Sequence, residues 1–395
     1  MQDYQKLFAE KINKLLPCLS EMADRIFDHP EIGNEEHYAS ELLTDFLKEH
    51  GFQVEKGIAG MQTAFRAVWE CGNGGPSIGL LCEYDALEKI GHACGHHAQG
   101  PCILGTAVAL KEILHDIPFK IVVYGTPAEE TAAGKITMLE YGCFQDIDVA
   151  FMMHLAPDTC VDVKSMAMDC FDVTYYGKAS QAAIYPESGR SALDALLLSF
   201  NAIEFLREHI PTDVRMHYTV TDAGGPANVV PARAVGSYIM RSYDGNHLSQ
   251  VVQRFQNIVR GAALMTDTTV DVRHTSHMES KIPVIALNDL LMEKAKLIDA
   301  PSIAPPREKT GSTDFANVIN RVPGSCIRVH FVPHGTSPHS QEFLDAGKSQ
   351  AAHDAISIGA NILSLASIDL ITNPALMNQV KEEFKANCIE AQQEI

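Results

Sequence analysis

The sequence predicts an α/β fold, a mostly parallel sheet with helices on both faces, into which a smaller α+β domain is inserted. Three observations predict it. Up to about Ser165, short apolar runs alternate with helix-periodic segments. From Phe171 to His274 the order changes to strand–helix–strand–strand–helix–strand. From Ile285 onward, helix and strand patterns of the first kind resume.

Each element follows from its residues. Ser77–Cys82 is an apolar run of strand length, Ala98–Leu114 has helical periodicity, and Lys120–Tyr124 and Asp148–Met153 repeat the buried-strand pattern. Strands separated by helices pair in parallel, and their continuous apolar character requires cover on both faces. In the middle, Phe171–Tyr176 reads as strand and Ser191–His209 as an amphipathic helix. Met216–Thr221 and Ala234–Ser242 flank the turn-rich GGPANVVP; Asn246–Met265 is helix and Thr269–His274 strand. Ile285–Asp299 is helix-periodic, Ser325–Val332 strand-like, and the chain beyond about Gln341 largely helical. The expected domain limits are 1–170 with 285–395, and 171–284 for the insertion.

A chain of 395 residues, 46% of them hydrophobic, supports two cores. Asp and Glu number 50 against 31 Lys and Arg, a formal charge of −19, and no basic block interrupts the acidity. Such a chain repels polyphosphate, so nucleic acid is not an expected partner. The ten cysteines are scattered without a CxxC pair, which argues against a disulfide framework. The opening MQDYQKLFAEKINKLLPCLS is broken by Lys and Glu and contains no signal-peptide core. No uncharged apolar run reaches the roughly 20 residues of a membrane span. The expected setting is the cytoplasm, with no membrane partner.

In parallel sheets ligands gather beyond the carboxyl ends of the strands, and the segments there carry metal-ligand types. The first, Glu83 to His97, places Cys94 and His96 two residues apart, so they project to one side of an extended backbone. A His-rich surface loop with one buried cysteine explains the same residues. The second, GTPAEE, offers the adjacent carboxylates Glu129 and Glu130, either solvated charge or a metal ligand beside a general base. The third places His154 directly after an apolar run, where a satisfied edge histidine is the plainer reading. Far downstream, His339 precedes a helix-like segment. Each signal is weak alone. Four strand ends offering ligand types together are harder to attribute to chance.

The segments HPEIGNEE (29–36), EYDALEKIGHACGHH (83–97), GTPAEE (125–130), MMHLAP (152–157), GGPANVVP (224–231), GSTDF (311–315) and PHSQEF (338–343) occur in a characteristic order. In this the chain resembles the aminoacylase/glutamate-carboxypeptidase metallopeptidase family, metallopeptidase family 20, in its amidohydrolase branch. The wording of the first loop is similar to that of the aminobenzoyl-glutamate hydrolase subunits and the β-alanyl-lysine-type dipeptidases. The resemblance implies a zinc-exopeptidase-like catalytic domain in two parts and an inserted lid and dimerisation domain. It implies hydrolysis of N-acyl or N-aminoacyl amino acids or small dipeptides by metal-activated water, with two divalent ions per subunit, Zn²⁺ or Mn²⁺. By position, Cys94 would bridge the ions, with His96, Glu130, His154 and His339 as further ligands. Glu129 would be the general base, Asp85 would orient a ligand histidine, and Glu83 would lie behind the ligands. Asn228 matches a substrate-contacting position. Arg241 and the GSTDF loop are candidates for holding a substrate carboxylate, although Arg241 reads equally as an ordinary strand residue. A homodimer through the insertion is expected on the same ground.

Two departures accompany the resemblance. The family's lid carries a Ser-His-Ala-Ala motif whose His stabilises the oxyanion, whereas this chain reads Ser180-Gln181-Ala182-Ala183. A glutamine amide donates a hydrogen bond but brings no positive charge. This admits a weakened member acting as a ligand-binding or assembly subunit, or a hydrolase of another C–N bond, such as that of an aromatic amine. The residue after the motif histidine, usually Asp or Asn, is His97; it either perturbs the site or fills space.

Overall fold

A computed structural model describes residues 4–393. The outermost residues of the expected domain limits, 1–3 and 394–395, lie outside the described residues. The chain forms two units: one runs up to Val163 and resumes over Lys281–Gln393, and the other is Lys164–Ser280. Of the expected limits, residue 170 falls inside a strand and 284 immediately before a helix.

In chain order the strands are β1 (Gln53–Lys56), β2 (Phe65–Cys71), β3 (Ser77–Cys82), β4 (Phe119–Gly125), β5 (Val149–Ala156), β6 (Cys160–Val161), β7 (Ala167–Tyr176), β8 (Arg215–Asp222), β9 (Arg233–Ser242), β10 (Thr269–Met278) and β11 (Gly324–His330). The first unit holds a seven-stranded sheet in the order β1-β2-β4-β3-β5-β11-β6. Its centre, β4-β3-β5-β11, is parallel, while β1, β2 and β6 pair antiparallel at the edges.

Side-chain alternation explains why both faces are covered. Ile78, Leu80, Ile121, Val123, Phe151 and Met153 face one core, shared with the helices Tyr4–Asp28, Gln99–Ile113 and Gln350–Thr372. Their neighbours Leu81, Val122, Ala150 and Met152 face a second core with Met138 and Phe315. Gly359 makes the first packing possible: a Cβ there would lie 2.8 Å from Met153 Cγ and 2.9 Å from Cys102 Sγ. Gln350–Thr372 is long and apolar enough to cross a membrane by length and composition, but Asp354 and Asp369 interrupt it, so its uncharged run stays short of a span as expected. The helix is mostly buried, as a core helix is.

The inserted unit is a four-stranded antiparallel sheet, β10-β7-β9-β8, with the helices Ala192–Leu206 and Gly245–Thr266 packed on its Phe171, Val173 and Tyr175 side. Both helices start as their residues dictate. Ser191 accepts the backbone N–H of Asp194 at 3.1 Å, and Asp244 accepts those of Asn246 and His247.

Candidate metal centre

Because β4, β3, β5 and β11 are neighbours, the segments at their carboxyl ends meet. Residues 83–97 leave β3 and are held at several points. Tyr84 donates its hydroxyl to the Thr63 carbonyl, Ala86 N–H bonds the Glu31 carbonyl, and Leu87 pairs with Gly91. Gly95 turns the chain at φ +90°, and a Cβ there would lie 2.9 Å from Leu155 Cβ. His339, itself at φ +64°, donates its backbone N–H to Ala93 at 3.0 Å. The distant 338–343 segment is thereby fastened to the Cys94 loop.

Ligand atoms of Cys94, His96 and His154 lie within 4.8 Å of one another, as do those of Cys94, Glu130 and His339, and those of His96, Glu129 and Glu130. Cys94 belongs to both of the first two groups. His154 is part of β5, paired with Arg328 of β11, and not in the loop expected after residue 153. The strand continues because its backbone finds a full partner as far as His330.

Hydrogen bonds aim the rings. His154 Nδ1 lies 2.7 Å from the Leu155 carbonyl and His96 Nδ1 lies 2.9 Å from Asp85 Oδ1. Each ring donates from Nδ1, so its Nε2 lone pair is left for the centre. This is the arrangement that fixes metal-binding tautomers. His154 Nε2 lies 3.6 Å from Cys94 Sγ. Asp85 Oδ2 also accepts the Glu130 backbone N–H at 2.9 Å. Glu130 Oε1 is buried without a hydrogen bond, and His339 Nε2 is 3.4 Å away. Such an acceptor costs free energy unless a cation meets it. The donor set of thiol, imidazole and carboxylate therefore fits a borderline divalent metal.

The electrostatics fit as well. Burial pushes the Cys94 thiol up to about 12, a shift that a dication reverses. Burial also raises Glu129 well above the carboxylate range, helped by Glu83, Asp314 and Glu130. For Glu130 burial is outweighed by the His339 contact and by His96, which draw it down to about 2.

A third acidic group, Glu83, Glu129 and Asp314, already contains a cation. Fully buried Lys135 donates to Glu83 Oε1 at 2.6 Å and to Asp314 Oδ1 at 2.7 Å. Burial opposes the ionised Glu83, yet Lys135, His96 and His154 together bring it down to about 2. Asp314 of GSTDF is thus engaged beneath the centre, not exposed for a substrate carboxylate. Sequence reading missed Lys135, whose only signal is a lysine in an otherwise apolar helix start, Gly134–Glu140. It also left HPEIGNEE without a role. Glu36 accepts the Ala128 N–H at 2.7 Å and the Thr63 hydroxyl at 2.9 Å, securing the backbone just before Glu129. His97 fills space: its Nε2 donates to the Gly347 carbonyl at 2.8 Å and its ring meets Phe27 edge-on at 4.9 Å.

The remaining candidates belong to the inserted unit. There Gln181 and Asn228 are neighbours: Gln181 bridges to Val229, and Ala182 N–H bonds the Asn228 carbonyl at 3.0 Å. Gln181 Oε1 accepts the N–H groups of Ala183 and Ile184. Arg241 sits near the far end of β9, opposite Met168 and Arg215. At about 3.3 Å per residue, it lies about 26 Å along the strand from Arg233.

One thiol, three imidazoles and two adjacent carboxylates gathered at the carboxyl ends of parallel strands define a class, the metal-dependent hydrolases. The sequence profile described as Peptidase family M20/M25/M40 matches residues 77–366, and the chain belongs to that family. It is a hydrolase acting on carbon–nitrogen bonds. It is 34% identical to a mouse (Mus musculus) Xaa-Arg dipeptidase, over 97% of this chain and 93% of that protein. To a p-aminobenzoyl-glutamate hydrolase component of Escherichia coli it is 28% identical, over 98% and 95%. Among solved structures, it matches an aminobenzoyl-glutamate utilization protein from Klebsiella pneumoniae with TM-score 0.72 and 21% identity, covering 92% and 97% of the two chains. A dinuclear metal-binding M20 peptidase from Bacillus subtilis gives 0.68 and 20%, covering 91% and 99%. At these identities the structural matches establish the fold.

Proposed function

We propose that the chain hydrolyses the amide of a dipeptide or N-acyl amino acid, with Glu129 as general base. The observation that carries this reading is the convergence of Cys94, His96, Glu130, His154 and His339 beside Glu129. Cys94, shared by two groups, would bridge two divalent ions, Zn²⁺ or Mn²⁺, with the other four as terminal ligands. Such ions polarise a scissile carbonyl and make water a nucleophile at neutral pH. Glu129 accepts a proton from the attacking water and delivers it to the leaving nitrogen. Asp85 keeps the His96 ring and the Glu130 backbone in register, and Lys135 offsets the negative charge behind Glu129. Asn228 and Gln181 contact substrate, and Arg241 is the candidate for its carboxylate.

The names of the relatives direct the substrate panel toward dipeptides ending in Arg and p-aminobenzoyl-glutamate. Exposed Phe205, Leu264 and Met265 in the inserted unit support a homodimer through it. A centre built on the unpaired Cys94 suits the reducing cytoplasm. The test is Glu129→Ala: hydrolysis of the panel is lost while metal content stays at the wild-type level. Unchanged turnover would remove Glu129 from the mechanism. A second reading rests on Gln181, whose oxygen is committed to its own turn. If the wild type binds but does not cleave the panel, the chain is a binding or assembly subunit. Cleavage of aromatic amides alone would redirect the substrate class.

A further inference from the structure

The inserted unit carries a group of metal-ligating side chains that the hydrolytic centre does not use. Asp169 is on β7, and His274 and His277 are on β10. Residues three apart on a regular strand point to opposite faces. Here the β7–β10 register shifts between His274 and Ser276, leaving Thr275 as an extra residue. His274 therefore stands opposite Phe171, and His277 opposite Asp169, on one face. Both rings turn to the same oxygen: His274 Nε2 lies 2.6 Å, and His277 Nδ1 2.8 Å, from Asp169 Oδ1. The His274 ring is further set by stacking on Phe171, with centroids 4.6 Å apart.

We propose that Asp169, His274 and His277 form a second cation site that takes a borderline divalent metal such as Zn²⁺. Two imidazoles and one carboxylate are a donor set for such ions, and the three ligand atoms already lie within 4.8 Å of one another. The Asp169 side chain is 9% exposed, whereas those of His274 and His277 are 47% and 50% exposed. The anchoring carboxylate is thus held in place, while water has access to complete the coordination shell. Metal entry replaces two N–H···O hydrogen bonds. Each neutral ring then carries its proton on the other nitrogen, Nδ1 of His274 and Nε2 of His277. β7 and β10 are the first and last strands of the insertion, so a bound ion ties together the segments by which the chain enters and leaves this unit.

The test counts zinc by equilibrium dialysis against buffered Zn²⁺, on the full chain and on His274→Ala/His277→Ala and Asp169→Asn. Wild type is expected to hold one zinc per chain more than either variant, with hydrolysis at saturating metal unchanged. In a Cys94→Ala/His96→Ala background, which disables the first centre, one zinc per chain should persist and vanish when His277→Ala is added. Equal zinc content in wild type and both variants would overturn the proposal, leaving a hydrogen-bonded His–Asp–His clamp. Loss of hydrolysis in the two variants, with zinc content unchanged, would overturn it equally. The zinc count does not depend on the reaction assigned to the first centre.

Discussion

Asp85 grips His96 and the loop that carries Glu130 with one carboxylate: Oδ1 lies 2.9 Å from His96 Nδ1, and Oδ2 accepts the Glu130 N–H at 2.9 Å. Asp85→Asn retains one acceptor but turns an amide N–H toward one of the two donors. Removing such support behind a ligand typically costs 10–100-fold in metal affinity, and a loss of about that size is expected. A competition titration with a chromophoric chelator measures it. Wild-type affinity would show that Asp85 does not orient the ring.

Lys135 is the only counter-charge within hydrogen-bonding distance of both Glu83 and Asp314 among the described residues. Lys135→Met leaves two buried carboxylates without it and should destabilise the chain by about 3–5 kcal/mol. Adding Asp314→Asn removes one of those charges, so the double variant should be more stable than the sum of the single losses predicts. Urea unfolding at neutral pH measures both. Strict additivity would mean that the ion pair is not coupled in the folded chain.

Glu36 links stability to pH. Burial is the largest influence on it; its hydrogen bonds oppose burial only in part, and its pKa is raised from 4.5 to about 7. The folded form therefore retains a proton that the unfolded chain releases between these values. This contribution is fully present below about 4.5 and is lost as pH rises through about 7. Glu36→Gln removes the titration, and Gln can still accept the Ala128 N–H while donating to the Thr63 hydroxyl. The melting temperature of Glu36→Gln relative to wild type should climb between pH 5 and pH 8, read at constant metal concentration. A flat difference would contradict the raised pKa.

Gln181→His addresses the changed motif directly. If this position supplies an oxyanion donor, a protonatable ring should raise kcat; single donors of this kind are worth about 10²–10³. The increase should appear in kcat more than in KM, since the donor acts on the transition state. An unchanged kcat would place the position outside the chemistry. The Ala183 and Ile184 N–H groups lose their acceptor in this variant, so a small drop in stability is expected alongside.

The alternation of apolar strands and helices, the split βαβ order of the insertion and the His, Cys and Glu spacings were all legible in the sequence. Burial writes those patterns locally, with period 2 on strands and 3.6 on helices. Strand limits depended on partners. β5 runs through His154 because residues 328–330 pair with it, and β7 begins at Ala167 because Ser242 lies opposite. Only the tertiary structure decided that Glu36 holds Ala128, that Lys135 joins Glu83 to Asp314, and that a bulge brings His274 and His277 together over Asp169. The first two contacts span 92 and 179 residues, and the third depends on a shift in strand register. Neither kind leaves a local periodicity to read, since each exists only once the chain has closed around it.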